Sequence, residues 1–100
     1  MTSIEKLHAV GEWDGVDEAV RRCVLSAASF INVLNQCDMK NMNVGSIEIY
    51  KFVVAELMVS VDMLNMLLFG YPDKDMQERI DSNIEREFGR IQYEGYVEGE

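Results

Sequence analysis

Histidine is almost missing from this chain: His8 is the only one among 100 residues. That argues against a histidine-based zinc site and against a Ser-His triad, both of which need imidazole. Cysteine is nearly as scarce. Cys23 and Cys37 form no Cys-x-x-Cys pair and lie in apolar helical surroundings, so they read as reduced core thiols of a cytoplasmic protein. Positive charge is short as well, with nine basic residues against eighteen acidic ones and a net charge of −9. A chain this acidic is repelled by phosphate backbones, which argues against direct contact with nucleic acid or an anionic membrane. The acidity suits divalent cations or a basic surface on another protein, or it confers solubility alone. The N-terminus lacks a basic-then-apolar signal pattern. The apolar run from Val53 to Phe69 is slightly short for a membrane span and carries Glu56 and Asp62, so no membrane contact is expected.

What remains is ample apolar material. At 48% hydrophobic residues, the chain can form one small domain with a core. Its seven methionines suggest an adaptable core or a contact surface. The expected fold class is all-α, with three main helices and no internal repeat. A short amphipathic segment over 3–10 places Ile4, Leu7 and Val10 on one side, and "GEWDG" is expected to break it. Asp14 is a candidate cap for a first main helix over about 15–36, with Asp17 and Glu18 favouring the dipole in its first turn. Along it Val16, Val20, Cys23, Val24, Ala27, Ile31 and Leu34 recur at spacings of three and four. "DMKNMNVGS" reads as a loop. Ser46 then offers a cap for a long central helix over 46–69, closed by Gly70 and Pro72. A third main helix over about 74–91 carries Met76, Ile80, Ile84, Phe88 and Ile91 at helical spacing, with Asp75 and Arg79 as an i, i+4 pair. The tail 92–100 is expected to fray.

The central helix is apolar around far more than one stripe, and a helix of that kind must be buried nearly all round. Two neighbouring helices cannot enclose it. A second copy of the chain is the simplest cover, with Met58, Val61, Leu64 and Leu68 as dimer candidates. At 100° per residue Glu56 and Ser60 lie within about 40° of each other, whereas Asp62 and Asn65 face elsewhere. The two acids of this helix therefore do not converge on one ion, and a magnesium site would need further carboxylates from another element.

"AELMVSVDMLNMLLFG" followed by "MQERIDSNIEREFGRI", together with the order and lengths of the helices, resembles the MazG family of all-α nucleoside triphosphate pyrophosphohydrolases over roughly residues 16 to 91. Glu56, Asp62, Leu64 and Gly70 fall in register with that family's long-helix motif. The resemblance implies dimerisation through the long helices, and magnesium held by Glu-Glu-x-x-Glu and Glu-x-x-x-Asp motifs to activate water. This chain departs from that pattern. Ala19 to Gln36 contains no acid, Ser26 to Ser29 occupy the first motif, Phe52 replaces the leading glutamate of the second, and Asn83 stands at the phosphate-binding lysine beside Arg86. These losses are too many for the usual mechanism, so no catalytic residue and no cofactor are expected.

Glu56, Asp62 and Arg86 are the residual metal or nucleotide candidates. For Glu56 the plainer reading is a carboxylate solvated or paired with Arg21, Arg22 or Lys51. Arg79, Arg86 and Arg90, set among Glu78, Glu85 and Glu87, read as a salt-bridged face. Trp13, Tyr50 and Phe52 could stack a base but read first as core. The expected function is that of a non-catalytic MazG-like homodimer, acting by binding a basic partner protein as a small inhibitor or decoy. Its expected partner surface is Asp73, Asp75, Glu78, Glu85, Glu94, Glu98 and Glu100. The alternatives are a pyrophosphohydrolase that keeps Mg2+ by recruiting Glu48, Glu56 and the first-turn acids, or a nucleotide-binding module without hydrolysis.

Overall fold

A computed structural model describes residues 1–97, so Glu98 and Glu100 lie outside the described residues. Among the described residues there are four α-helices and no strand: α1 (Ser3–Asp14), α2 (Val16–Gln36), α3 (Val44–Phe69) and α4 (Lys74–Tyr93). The chain divides into two compact units, one from Met1 to Gly70 and one from Tyr71 onward.

The amphipathic segment expected over 3–10 is a full helix that continues through Trp13 to Asp14. Thr2 and Glu5 close a capping box at its start, each side chain bonding the other's backbone N–H. "GEWDG" does not break it because Gly11 is used for close approach. A Cβ at Gly11 would lie 3.2 Å from Met63 Cγ and 3.3 Å from Leu67, so the missing side chain lets α1 settle on α3. The break comes at Gly15, whose φ of 86° permits the abrupt change of direction into α2. Asp14 does not cap α2, since the capping position is Gly15 and no side chain caps there. The Asp14 carboxylate turns instead toward Arg22, with Oδ2 2.9 Å from Nη2.

At the start of α3 the cap is Asn43 rather than Ser46. Its Oδ1 accepts the Ser46 N–H at 2.8 Å, so the helix begins two residues earlier than expected. The end is as expected, with Gly70 at φ 82°. Asp73 caps α4 by accepting the Met76 N–H. That helix runs two residues past its expected end and closes in a turn where Tyr96 N–H bonds Ile91 C=O and the Tyr96 ring meets Phe88 edge-on.

Helices α2 and α3 pack antiparallel, as the Ser26–Ser60 and Phe30–Tyr50 contacts show. Ala19, Ser26 and Val33 on α2 and Val53 and Ser60 on α3 are buried along this seam, and α1 covers Met63 and part of the flank. About a quarter turn from the seam, α2 exposes Val16, Val20, Val24, Ile31 and Leu34, and α3 exposes Met58, Val61 and Leu68. Because the helices run in opposite directions, both quarter turns open on the same side, so these residues form one apolar face. Asp17 and Lys51 stand only at its margins. Along α3 this side follows a seven-residue rhythm, with Ile47, Val54, Val61 and Leu68 alternating with the half-buried Tyr50, Leu57 and Leu64.

Candidate functional site

The opposite side of the α2–α3 pair opens into a cleft of about 480 Å3 lined by Arg22, Leu25, Ser26, Phe52, Ala55, Glu56, Val59 and Ser60. Its floor is a small polar knot. Ser26 Oγ lies 3.2 Å from Ser60 Oγ, Ser60 Oγ donates to the Glu56 carbonyl at 2.8 Å, and the Cys23 thiol donates to the Ser60 carbonyl at 3.2 Å. The hydroxyls are buried and mutually satisfied, so each helix can place a serine in an otherwise apolar seam without an orphaned group. Burial also pushes the Cys23 thiol above its ordinary range, which keeps it protonated and unreactive. Both cysteines are free and half-buried.

On the walls, Arg22 is already occupied. Its guanidinium contacts Asp14, with Oδ2 off the line of a hydrogen bond, and approaches Glu18 at 3.5 Å. Glu18 also receives Arg21 at 2.5 Å, and this hydrogen bond draws the Glu18 carboxyl down to about 2. Glu56 is different. It is exposed, and among the described residues it makes no ion pair with Arg21, Arg22 or Lys51.

The other sequence-predicted residues are dispersed. Asp62 lines a second cleft, where α1 meets α3 beside Lys6, Leu7, Val10 and Met63, which shares Arg22 and Val59 with the first. Glu56 and Asp62 thus face different hollows, as their angular separation on α3 requires. Arg86 belongs to the unit formed by α4, where it bonds Asn83. Beside it Arg79 holds Asp75 at 2.8 Å, and Arg90 holds Glu87 and Glu94 at 2.9 and 3.0 Å. The salt-bridged reading therefore holds for Arg79 and Arg90, whereas Arg86 pairs with no acid among the described residues. Among the described residues no group of three or more His, Cys, Asp or Glu side chains is arranged to hold a metal ion.

The aromatic expectation needs correction. Trp13 is 91% exposed on the last turn of α1 and Phe52 is 64% exposed on the cleft wall, so neither belongs to the core. Helix α1 reaches only the far half of α3 and leaves Phe52 uncovered. Tyr50 is half-buried, tilted against Phe30 at 6.2 Å. Among the acids proposed for a partner surface, Asp73 is half-buried and committed to its cap, while Asp75 and Glu94 are paired with Arg79 and Arg90. Glu78 and Glu85 remain exposed and unpaired among the described residues. They stand seven positions apart, two turns along one side of α4 and away from its apolar stripe. Sequence reasoning missed the engagement of Arg22 and the serine knot. The signal for the knot was there, in two small polar residues placed within apolar helical stripes.

No family model, no curated protein and no solved structure matches this chain.

Proposed function

We propose that this chain is a non-catalytic, MazG-like helical protein that acts by binding, first to a second copy of itself and then to a basic partner protein. The observation that carries the reading is the apolar face of α2 and α3. Its eight exposed aliphatic side chains make a patch on the order of 600 Å2, at the upper limit of what monomeric proteins leave uncovered. A second copy covers it symmetrically, aligning the seven-residue rhythm of one α3 with its equivalent and burying Val61, Leu64 and Leu68 with Met58 at the rim. The net charge of −9 per copy opposes this only through screened, longer-range repulsion, because charged residues lie at the margins of the face.

Helix α3 is also long and apolar enough to cross a membrane. Glu56 near its middle and Asp62 six residues later make that placement costly, since translocon scales assign about 2.5–3.5 kcal/mol to a central charge such as Asp. The apolar circumference of α3 is instead covered by protein in the cytoplasm.

The acids of α4 supply the second surface. Unpaired Glu78 and Glu85, with the Arg79-paired Asp75 nearby, would steer a basic surface toward the chain and fix its orientation. A small inhibitor or decoy needs no more chemistry than this. The test is capture from the native host's lysate by the wild-type chain and by Glu78→Lys/Glu85→Lys, read by mass spectrometry at low and high salt. The expected result is a basic protein retained by the wild type, lost on charge reversal and weakened by salt. Capture indifferent to both changes would remove α4 as the binding surface.

A further inference from the structure

We infer that the α2–α3 cleft seats a lysine or arginine side chain of the partner protein. Two of its properties point to this ligand chemistry. Its walls are apolar and open, with Leu25 and Val59 about half exposed and Phe52 64% exposed. Its polar groups are all spoken for except one. The Ser26 and Ser60 hydroxyls satisfy each other and the Glu56 carbonyl, and Arg22 is held by Asp14 and Glu18. The Glu56 carboxylate alone has no counter-charge among the described residues.

A site of this kind receives an anion poorly, because the only cation lining it is already neutralised. It receives a long aliphatic stem with a cationic head well. The stem lies along Leu25 and Val59, as long basic side chains do on apolar surfaces. The head meets the Glu56 carboxylate and the π-face of Phe52, which attracts a cation electrostatically. The cleft opens on the side of the α2–α3 pair opposite the self-association face, so a dimer leaves it accessible. The inference rests on the reading of the chain as a binder of basic protein, and adds to it a second, chemically specific point of attachment outside α4.

The test uses the full chain and a blocked leucyl-arginyl-leucine tripeptide, titrated to millimolar concentration and followed by amide and methyl NMR shifts. The neutral isostere carrying citrulline in place of arginine is titrated alongside. Shifts should be confined to Leu25, Phe52, Glu56 and Val59, and be much smaller with citrulline. Glu56→Gln, an exposed and isosteric change, should weaken arginine-peptide binding about threefold, the scale of one exposed charge pair. Phe52→Leu, which keeps the wall apolar but removes the ring, should weaken it about threefold as well. Glu78→Gln/Glu85→Gln should leave it unchanged. Shifts on α4 that vanish in Glu78→Gln/Glu85→Gln but survive Glu56→Gln would overturn the cleft inference and leave the acidic-surface reading standing. Equal binding of the citrulline peptide, or no cleft shifts at all, would overturn it too.

Discussion

Val61→Glu is the substitution that should separate the two copies. Val61 sits in the seven-residue rhythm of α3 and is 41% exposed in the single chain, so partner contact removes that remaining fraction from water. Full burial of a valine-sized side chain contributes about 1.5–3 kcal/mol, and two-fifths of it roughly 1 kcal/mol per copy. Two-fold symmetry doubles the loss to about 2 kcal/mol, already more than tenfold in dissociation constant. The carboxylate makes it worse, because each copy must also bury a charge against apolar neighbours or open the seam. The expected change is therefore at least a hundredfold, or about 2.7 kcal/mol. Sedimentation equilibrium at micromolar concentration reads it directly. Wild type should run at twice the 11.4 kDa chain mass and Val61→Glu at the chain mass, with unchanged helical content. Val59→Glu, on the cleft side, is the control and should remain dimeric. A monomeric wild type of ordinary stability, or a Val61→Glu chain that still dimerises, would refute the reasoning.

Three further outcomes follow from the packing and charges. Ser60→Ala should cost about 1 kcal/mol in urea unfolding, because Ser26 Oγ is left buried without its partner, and Ser26→Ala/Ser60→Ala should cost less than the sum of the single changes. Gly11→Ala should be nearly neutral, since the helix gain of about 1 kcal/mol offsets a tight Cβ. Gly11→Val should lower stability by roughly 1–3 kcal/mol by forcing Met63 and Leu67 apart, and a higher melting temperature for it would contradict the packing of α1 on α3. Acid should weaken the fold through Glu18. Its folded pKa is depressed to about 2, so its contribution is present above the unfolded value near 4.5 and is lost as pH falls from there toward 2. Asp38, lowered by its bond from Asn41, acts in the same direction. Glu18→Gln should flatten the pH dependence of the urea midpoint across that window, and an unchanged slope would show that the Arg21 pair does not carry it.

Helices α2 and α4 were legible from their three- and four-residue apolar period, and α3 from an unbroken apolar run closed by Gly70. Gly70 served as read, and the rhythm of Met76, Ile80, Ile84, Phe88 and Ile91 gave α4, whereas Asp73, read as a partner-facing acid, is its cap. Helix α1 was read too short because Gly11 looks the same in sequence whether it breaks a helix or lets two helices touch. Only the positions of Met63 and Leu67, some fifty residues away, decide which. The cap of α3 was misplaced for a local reason, since Asn43, Gly45 and Ser46 all favour loops and any of the polar ones can cap. On the site side, the divergence of Glu56 and Asp62 followed from helical geometry alone. The fate of Arg22 did not, because it depends on Asp14 arriving from α1. Charge pairing within one helix is visible at three- and four-residue spacing, as with Asp75 and Arg79. Pairing between helices depends on how they pack, which a single sequence does not spell out.

The claim that the chain works by binding rather than turnover is tested most directly by one assay. The purified chain is incubated with millimolar magnesium or manganese and a panel of common and modified nucleoside triphosphates, and pyrophosphate release is measured against Glu56→Ala. The result expected is release at the blank rate for both proteins, since among the described residues no three His, Cys, Asp or Glu side chains gather to hold a metal ion and Arg22 is engaged by Asp14 and Glu18. Metal-dependent pyrophosphate release by the wild type that disappears in Glu56→Ala would contradict it.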